Sequence, residues 1–202
     1  LTMAIKLITA LGNNEEKYSQ TRHNIGFRWL DQLAEMHNVN WQKSSHGKGM
    51  VGKINRGEQS TILLFKPGLL MNINGKPIAD CARYFTVKPE EILLVYDDLD
   101  LEAGIIKCRK STGHGGHNGV RDLANHIDIS QTIRLKIGIG RPNSKLNTSQ
   151  YVLQKPSPSD SENIDRAIKN SLAHRNLLFS GQLNAYYEQL ALINKMEKPD
   201  GI

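Results

Sequence analysis

The 202-residue sequence predicts an α/β fold: a single domain with a twisted mixed β-sheet flanked by helices, and a helical C-terminal end. Three observations predict it. Strand-like and helix-like segments alternate along the chain. Ile92-Leu93-Leu94-Val95-Tyr96 is an unbroken apolar run, as a central strand shows when both its faces are covered. No internal repeat and no long low-complexity linker divides the chain, so residues 3–196 are expected to form one domain, with 197–202 a short tail.

The first strand is Ile5 to Leu11, closed by the Asn-rich turn Gly12-Asn13-Asn14. Residues 23–38 read as a helix, because Phe27, Leu30, Leu33, Ala34 and Val39 recur at a spacing near three to four. A hairpin is expected next, with arms 49–54 and 60–65 around Arg56-Gly57-Glu58-Gln59, stopped by Lys66-Pro67-Gly68. Residues 74–85 look helical up to Val87-Lys88-Pro89. After the central strand come a strand from Gly104 to Lys110, the Gly-rich run Thr112 to Gly119, a helix over 119–127, and a strand from Ile133 to Ile139. Pro156-Ser157-Pro158-Ser159 is a break, after which Ser161 is expected to cap a helix running to about Ser180. The last helix, 184–196, is predicted to pack Tyr186, Leu190, Ile193 and Met196 on the core, or to form a flap over a ligand.

Hydrophobic residues make up 39% of the chain and charged residues 23%, which fits a globular protein rather than a disordered one. No apolar run approaches the roughly 18 residues of a membrane span, so no membrane partner is expected. The start has neither the basic region nor the long apolar stretch of a signal peptide, and Met3 is a candidate first residue. Cys81 and Cys108 form no CxxC pair and are expected as reduced thiols in a cytoplasmic protein.

The net charge of +6 points toward a polyanion, and its distribution says more. Residues 103–121 carry Lys107, Arg109, Lys110 and Arg121, and residues 134–145 carry Arg134, Lys136, Arg141 and Lys145. Residues 90–102 instead hold six acids and no base. Basic segments on adjacent strands would form a stripe suited to phosphates, whereas scattered solvated lysines are the plainer alternative.

Four segments lie at predicted strand ends or just beyond: Asn13 with His23, Met71-Asn72, Asp97-Asp98, and His117-Asn118. Loops at the carboxyl ends of strands in an open α/β sheet converge on one crevice, which would gather a histidine, an aspartate and three asparagines. An aspartate accepting from a histidine N–H fixes the tautomer, so that the other ring nitrogen can activate a nucleophile. No Ser stands in a G-x-S-x-G turn and neither Cys has a catalytic setting, which leaves water as the nucleophile. Asparagine amides suit a peptide-like backbone or a developing oxyanion. Taken singly, each residue has a structural alternative: His23 as a helix-start residue, Asp97 as a turn cap, Asn72 as the cap of the following helix. His114-Gly-Gly-His117 lacks further ligands at a recognised metal spacing, and a metal-dependent hydrolysis would have to draw on Asp97, Asp98, His114 and His117.

Together these segments resemble the bacterial-type peptidyl-tRNA hydrolase family. The resemblance runs over Leu11-Gly12-Asn13, Tyr18, Thr21-Arg22-His23-Asn24-Ile25-Gly26-Phe27, Lys66-Pro67, Met71-Asn72 and Gly75, then Tyr96-Asp97-Asp98-Leu99-Asp100-Leu101, Gly113 to Gly119 and Arg134 to Pro142. It implies a metal-independent, cofactor-free, monomeric cytoplasmic enzyme that hydrolyses the ester between peptide and tRNA. On that resemblance His23 is the general base, Asp97 supports it, and Asn13 distinguishes a blocked N-terminal group from a free aminoacyl group. Asn72 and Asn118 orient substrate, Tyr18 lines the tRNA 3′-end site, Leu70 flanks the substrate, and Arg109 and Lys136 clamp a tRNA phosphate, to which the neighbouring Lys107 is expected to add charge. Three positions depart from the family pattern. Asn14-Glu15 stands for Pro-Gly, Leu70 for an aromatic, and Lys136 for a frequent arginine, with loss of bidentate phosphate geometry at the last. A non-catalytic RNA-binding module on the same fold, like the related splicing factors, is the alternative.

Overall fold

The structure, a computed structural model, describes residues 4–143 and 147–196. Met3, Lys145 and the tail 197–202, each of which entered the expectations above, lie outside the described residues. One seven-stranded sheet organises the chain: β1 (Leu7–Ala10), β2 (Gln42–Lys43), β3 (Gly49–Arg56), β4 (Gln59–Pro67), β5 (Ile92–Asp98), β6 (Ile106–Lys110) and β7 (Ile133–Gly138). Their spatial order is β2-β3-β4-β1-β5-β7-β6. The four central strands are parallel, whereas β2, β3 and β6 pair antiparallel with their neighbours. The expected mixed α/β architecture is therefore what forms.

Helices cover both faces, because neighbouring residues of a strand point to opposite sides. On one face Ile8, Ala10, Leu64, Leu93 and Val95 meet α1 (Ile25–Met36), α5 (Pro158–Ala173), α6 (Arg175–Phe179) and α7 (Leu183–Met196). On the other, Leu7, Phe65, Leu94 and Tyr96 meet α2 (Gly75–Tyr84) and α3 (Asn118–Ala124). Full burial of Trp29, Leu30 and Leu33 anchors α1, each contributing about 1.5–3 kcal/mol. Among the described residues no helix is long and apolar enough to cross a membrane.

Glycine at two positions brings the site-bearing segments together. A Cβ on Gly119 would stand 2.6 Å from Met71 Sδ, and one on Gly75 would stand 2.4 Å from the Leu123 backbone nitrogen. Side chains there would push α3 off the segment that carries Met71 and Asn72.

Several local expectations are corrected. The predicted helix over 23–38 starts only at Ile25, preceded by one 3₁₀ turn over Arg22–Asn24, and it ends at Met36 because Asn38 turns left-handed at φ 48°. Ser157, not Ser161, caps the C-terminal helix, its hydroxyl accepting from Asp160 N–H with Pro158 at the first position. That helix stops at Ala173 and a separate α6 follows. The short β2 and α4 (Thr148–Val152) were not foreseen, being too brief to show periodicity. In α7, Tyr186, Leu190 and Ile193 are buried as expected, but Met196 is 85% exposed.

Candidate active site

Three strand-end segments deliver the reacting groups. Near the end of β5 stands Asp97, paired with Ile137 of β7 and buried to 2% exposure. The loop after β1 carries Asn13, and the 3₁₀ turn Arg22–Asn24 carries His23 against the same strand end. His117 arrives by an unexpected route. β6 runs antiparallel to β7, so its last residue Lys110 lies at the far end of the sheet, opposite Ile133. The Gly-rich loop must climb back along the sheet to place His117 beside Asp97. Gly115 and Gly116, at φ 58° and 77°, provide the left-handed turn this return needs.

Asp97 is shared by two imidazoles. Its Oδ2 accepts from His23 Nδ1 at 2.9 Å and its Oδ1 accepts from His117 Nε2 at 2.9 Å. The ring of His117 also caps α3, its Nδ1 accepting from the backbone N–H groups of Gly119 and Val120. Nδ1 is thus an acceptor and Nε2 carries the proton, which assigns the tautomer of His117. On His23, Nδ1 donates to Asp97 and Nε2 is left for a ligand. The sequence marked His117 only as a metal candidate or a neighbour of Asn118; a second donor to the aspartate was missed. The signal was its place two residues before Gly119, where a helix N-cap stands.

Electrostatics follow from this burial. Burial works against the imidazolium of His23, but the charge and hydrogen bond of Asp97 outweigh it and raise the ring above its ordinary 6.5. Burial alone would raise Asp97 as well. The opposing charge of His23 and the hydrogen bonds from both imidazoles instead hold its carboxyl well below the usual range. Burial pushes the Cys81 thiol up to about 12 and raises Cys108 too, so neither is a ready nucleophile.

A cavity of about 260 Å³ opens over these groups, lined among others by His23, Asp97, His117, Asn118, Asp98 and Lys136. Thr148 and Val152 of α4 form its far wall. Arg22 ties that wall to the histidine turn: its guanidinium lies 3.8 Å from the Tyr151 ring centre and donates to Tyr151 O at 3.1 Å. Asn13 lines a neighbouring recess with Asn24 and Phe27. Its Oδ1 accepts from Met71 N–H at 2.7 Å, which fixes the orientation of the side-chain amide. Asn24 holds the Asn13 backbone by a reciprocal pair of hydrogen bonds, and the fully buried Asn74 bonds Gly12 O and Leu69. These two asparagines fasten the loops; they were not singled out in the sequence.

The remaining predicted residues lie around this centre. Asn72 and Leu70 are exposed at a 3₁₀ turn, and Asn74, not Asn72, stands at the start of α2. Tyr18 is half-buried on another 3₁₀ turn with Lys17 over its ring. Lys107 and Arg109 are exposed on β6, directly across from Lys136 and Arg134 of β7, so all four share one sheet face. Of the expected stripe, Arg134 must be withdrawn. It is fully buried and donates to the carbonyls of Ser111, Gly113 and Ile129, where it fastens the Gly-rich loop. Arg141 pairs with Asp100, and Lys136 with Asp98 at 3.0 Å.

Among the described residues, His23, Asp97 and His117 could together offer three metal ligands, all within 4.8 Å of one another. The hydrogen bonds do not fit that use. A metal on Nε2 of His117 would move its proton to Nδ1, against two N–H groups that already point there. Asp98 is engaged with Lys136 and the Asp100 N–H, and His114 Nδ1 accepts from Gly116 N–H.

A family model described as peptidyl-tRNA hydrolase matches residues 7–199. The chain belongs to the peptidyl-tRNA hydrolase family. It is 39% identical over 186 residues to the peptidyl-tRNA hydrolase of Methylococcus capsulatus, spanning 92% of this chain and 98% of that one. It is 36% identical over 190 residues to that of Nitrosomonas eutropha, spanning 94% and 97%. The crystal structure of peptidyl-tRNA hydrolase from Acinetobacter baumannii superposes with a TM-score of 0.87 at 35% identity, covering 94% of this chain and 96% of that one. Members of the peptidyl-tRNA hydrolase family are hydrolases, and nothing among these relatives supports a non-catalytic RNA-binding module.

Proposed function

We propose that this member of the peptidyl-tRNA hydrolase family breaks the ester between peptide and tRNA by attack of water, with His23 as general base. The observation that carries this is the Asp97–His23 hydrogen bond, which occupies Nδ1 and leaves Nε2 on the cavity side. Water bound at Nε2 gives up a proton as its oxygen attacks the ester carbonyl. Asn118, which lines the cavity with His23, donates to the oxygen that becomes negative, Asn72 helps orient the substrate, and the amide of Asn13 in the neighbouring recess distinguishes a blocked N-terminal group from a free one. As the C–O bond breaks, the imidazolium returns the proton to the ribose oxygen, so no charge is left on the leaving group. Asp97 stays ionised throughout and supports the imidazolium, while His117 keeps that carboxylate from turning away.

Lys107, Arg109 and Lys136 supply the cations for a tRNA phosphate, with Tyr18 and Leu70 flanking the nucleotide end. A monomer acting in the cytoplasm on tRNA from translation is the setting this implies, with residues 3–196 as the working unit. Steady-state cleavage of an N-blocked aminoacyl-tRNA beside its unblocked counterpart tests it. Cleavage of the blocked substrate with the free one spared is expected; release from neither would refute hydrolysis, and equal release from both would refute the role of Asn13.

Arg109→Ala is expected to weaken tRNA substrates while sparing a short peptidyl-nucleotide that lacks the distant phosphate. The salt slope of tRNA binding should fall by about 0.7–0.9 in log K per log salt. Equal losses for both substrates would remove Arg109 from phosphate binding.

A further inference from the structure

We infer that Asp98 is an internal stand-in for phosphate: it occupies Lys136 in the free protein and must be displaced before a tRNA phosphate can take its place. This rests on the reading of Lys136 as a phosphate contact. The two side chains meet at 3.0 Å and are only 14% and 13% exposed, so solvent screens the pair weakly. The carboxylate is fixed from its other oxygen, Oδ1, which accepts from Asp100 N–H at 2.8 Å. Both residues line the cavity that His23 faces.

The register explains why a stand-in is needed. Lys136 lies directly across from Lys107, and like charges directly opposed on one sheet face destabilise the pairing. Arg134 and Arg109 repeat the arrangement one step on, and there Arg134 is neutralised by three backbone carbonyls. Lys136 has a carboxylate instead. A carboxylate, unlike backbone carbonyls, competes with phosphate on equal chemical terms. Asp98 therefore stabilises the unliganded site and weakens its hold on tRNA, which favours release of the deacylated product and rejects polyanions that offer only one weak contact.

Asp98→Asn tests this, since the amide keeps both the shape and the oxygen facing Asp100 N–H. The Tm should fall, while binding of deacylated tRNA should tighten several-fold at low salt. Its salt slope should steepen by about 0.7–0.9, an extra loss of about threefold between about 50 and 200 mM. Asp98→Ser should act in the same direction. Glu102→Gln, exposed on the same turn, changes the net charge equally and should have little effect. In a Lys136→Met background the gain from Asp98→Asn should vanish. Unchanged or weaker binding in Asp98→Asn would overturn the inference, as would a gain that persists without Lys136 or is matched by Glu102→Gln. If Lys136→Met alone leaves tRNA affinity intact, it is the phosphate role of Lys136 that fails, and the inference with it.

Discussion

Replacing His23 by alanine should lower kcat by about 10²–10⁴-fold, or roughly 3–5 kcal/mol of barrier, with much smaller loss of tRNA affinity. Among the described residues no second base is placed to compensate. The other imidazole of the cluster, His117, has Nε2 donating to Asp97 and Nδ1 accepting from two backbone N–H groups, so it has no lone pair to spare. The residual rate should reflect orientation and the amide donors alone. Loss of the 2.9 Å bond to Asp97 leaves that carboxylate paired with His117, so the variant should fold. Near-normal turnover in a folded His23→Ala protein would remove His23 from the reaction; a parallel collapse of tRNA binding would make it a structural residue.

Asp97→Asn should be as severe in rate, by up to about 10⁴-fold, for a different reason. An amide N–H₂ facing His23 Nδ1 would favour the opposite tautomer, with the proton on Nε2 where the base should be. The pH profile separates this from simple damage. In the native protein Asp97 raises His23 above 6.5, and a base works only when deprotonated, so the rate should climb with pH through a value above 6.5. Without the carboxylate, burial alone remains and acts to lower the imidazole, so the acid limb should move to lower pH. A limb that stays in place would show that another group titrates.

The same shifts act on stability with the opposite requirement. A His23 raised above 6.5 stabilises fully below 6.5, and that contribution is lost as pH rises through the folded-state value. A lowered Asp97 stabilises above its ordinary 3.8, and that contribution is lost as pH falls through the folded-state value. The pair therefore holds the fold best between about pH 4 and 6.5, where most of His23 is protonated and idle as a base. Deprotonating the ring for catalysis thus lowers stability at higher pH.

The central strands, the hairpin and the main helices were legible because their periods are long enough to read. β5 is the clearest case, since a five-residue apolar run has no place but the middle of the sheet. Polar and glycine residues clustered after strands likewise marked His23, Asp97 and Asn118. Other assignments failed where a side chain's role depends on distant partners. Arg134 reads as one more cation of a stripe, yet it is buried by the carbonyls of a loop more than twenty residues upstream. The two-residue β2 and five-residue α4 are held by neighbours rather than by any pattern of their own.

From the sequence alone came the alternation of elements, the excess of basic residues beside an acidic turn, and the identity of the histidine and aspartate. Local periodicity and side-chain chemistry are properties of contiguous residues, and they survive in one dimension. Only the folded chain decided that Asp97 serves two imidazoles, that His117 has its tautomer set by a helix it caps, and that Lys136 is already held by a carboxylate. The first two depend on an antiparallel edge strand and a returning glycine loop, the third on the parallel pairing of β5 with β7; each brings together groups whose separation along the chain carries no trace of their contact.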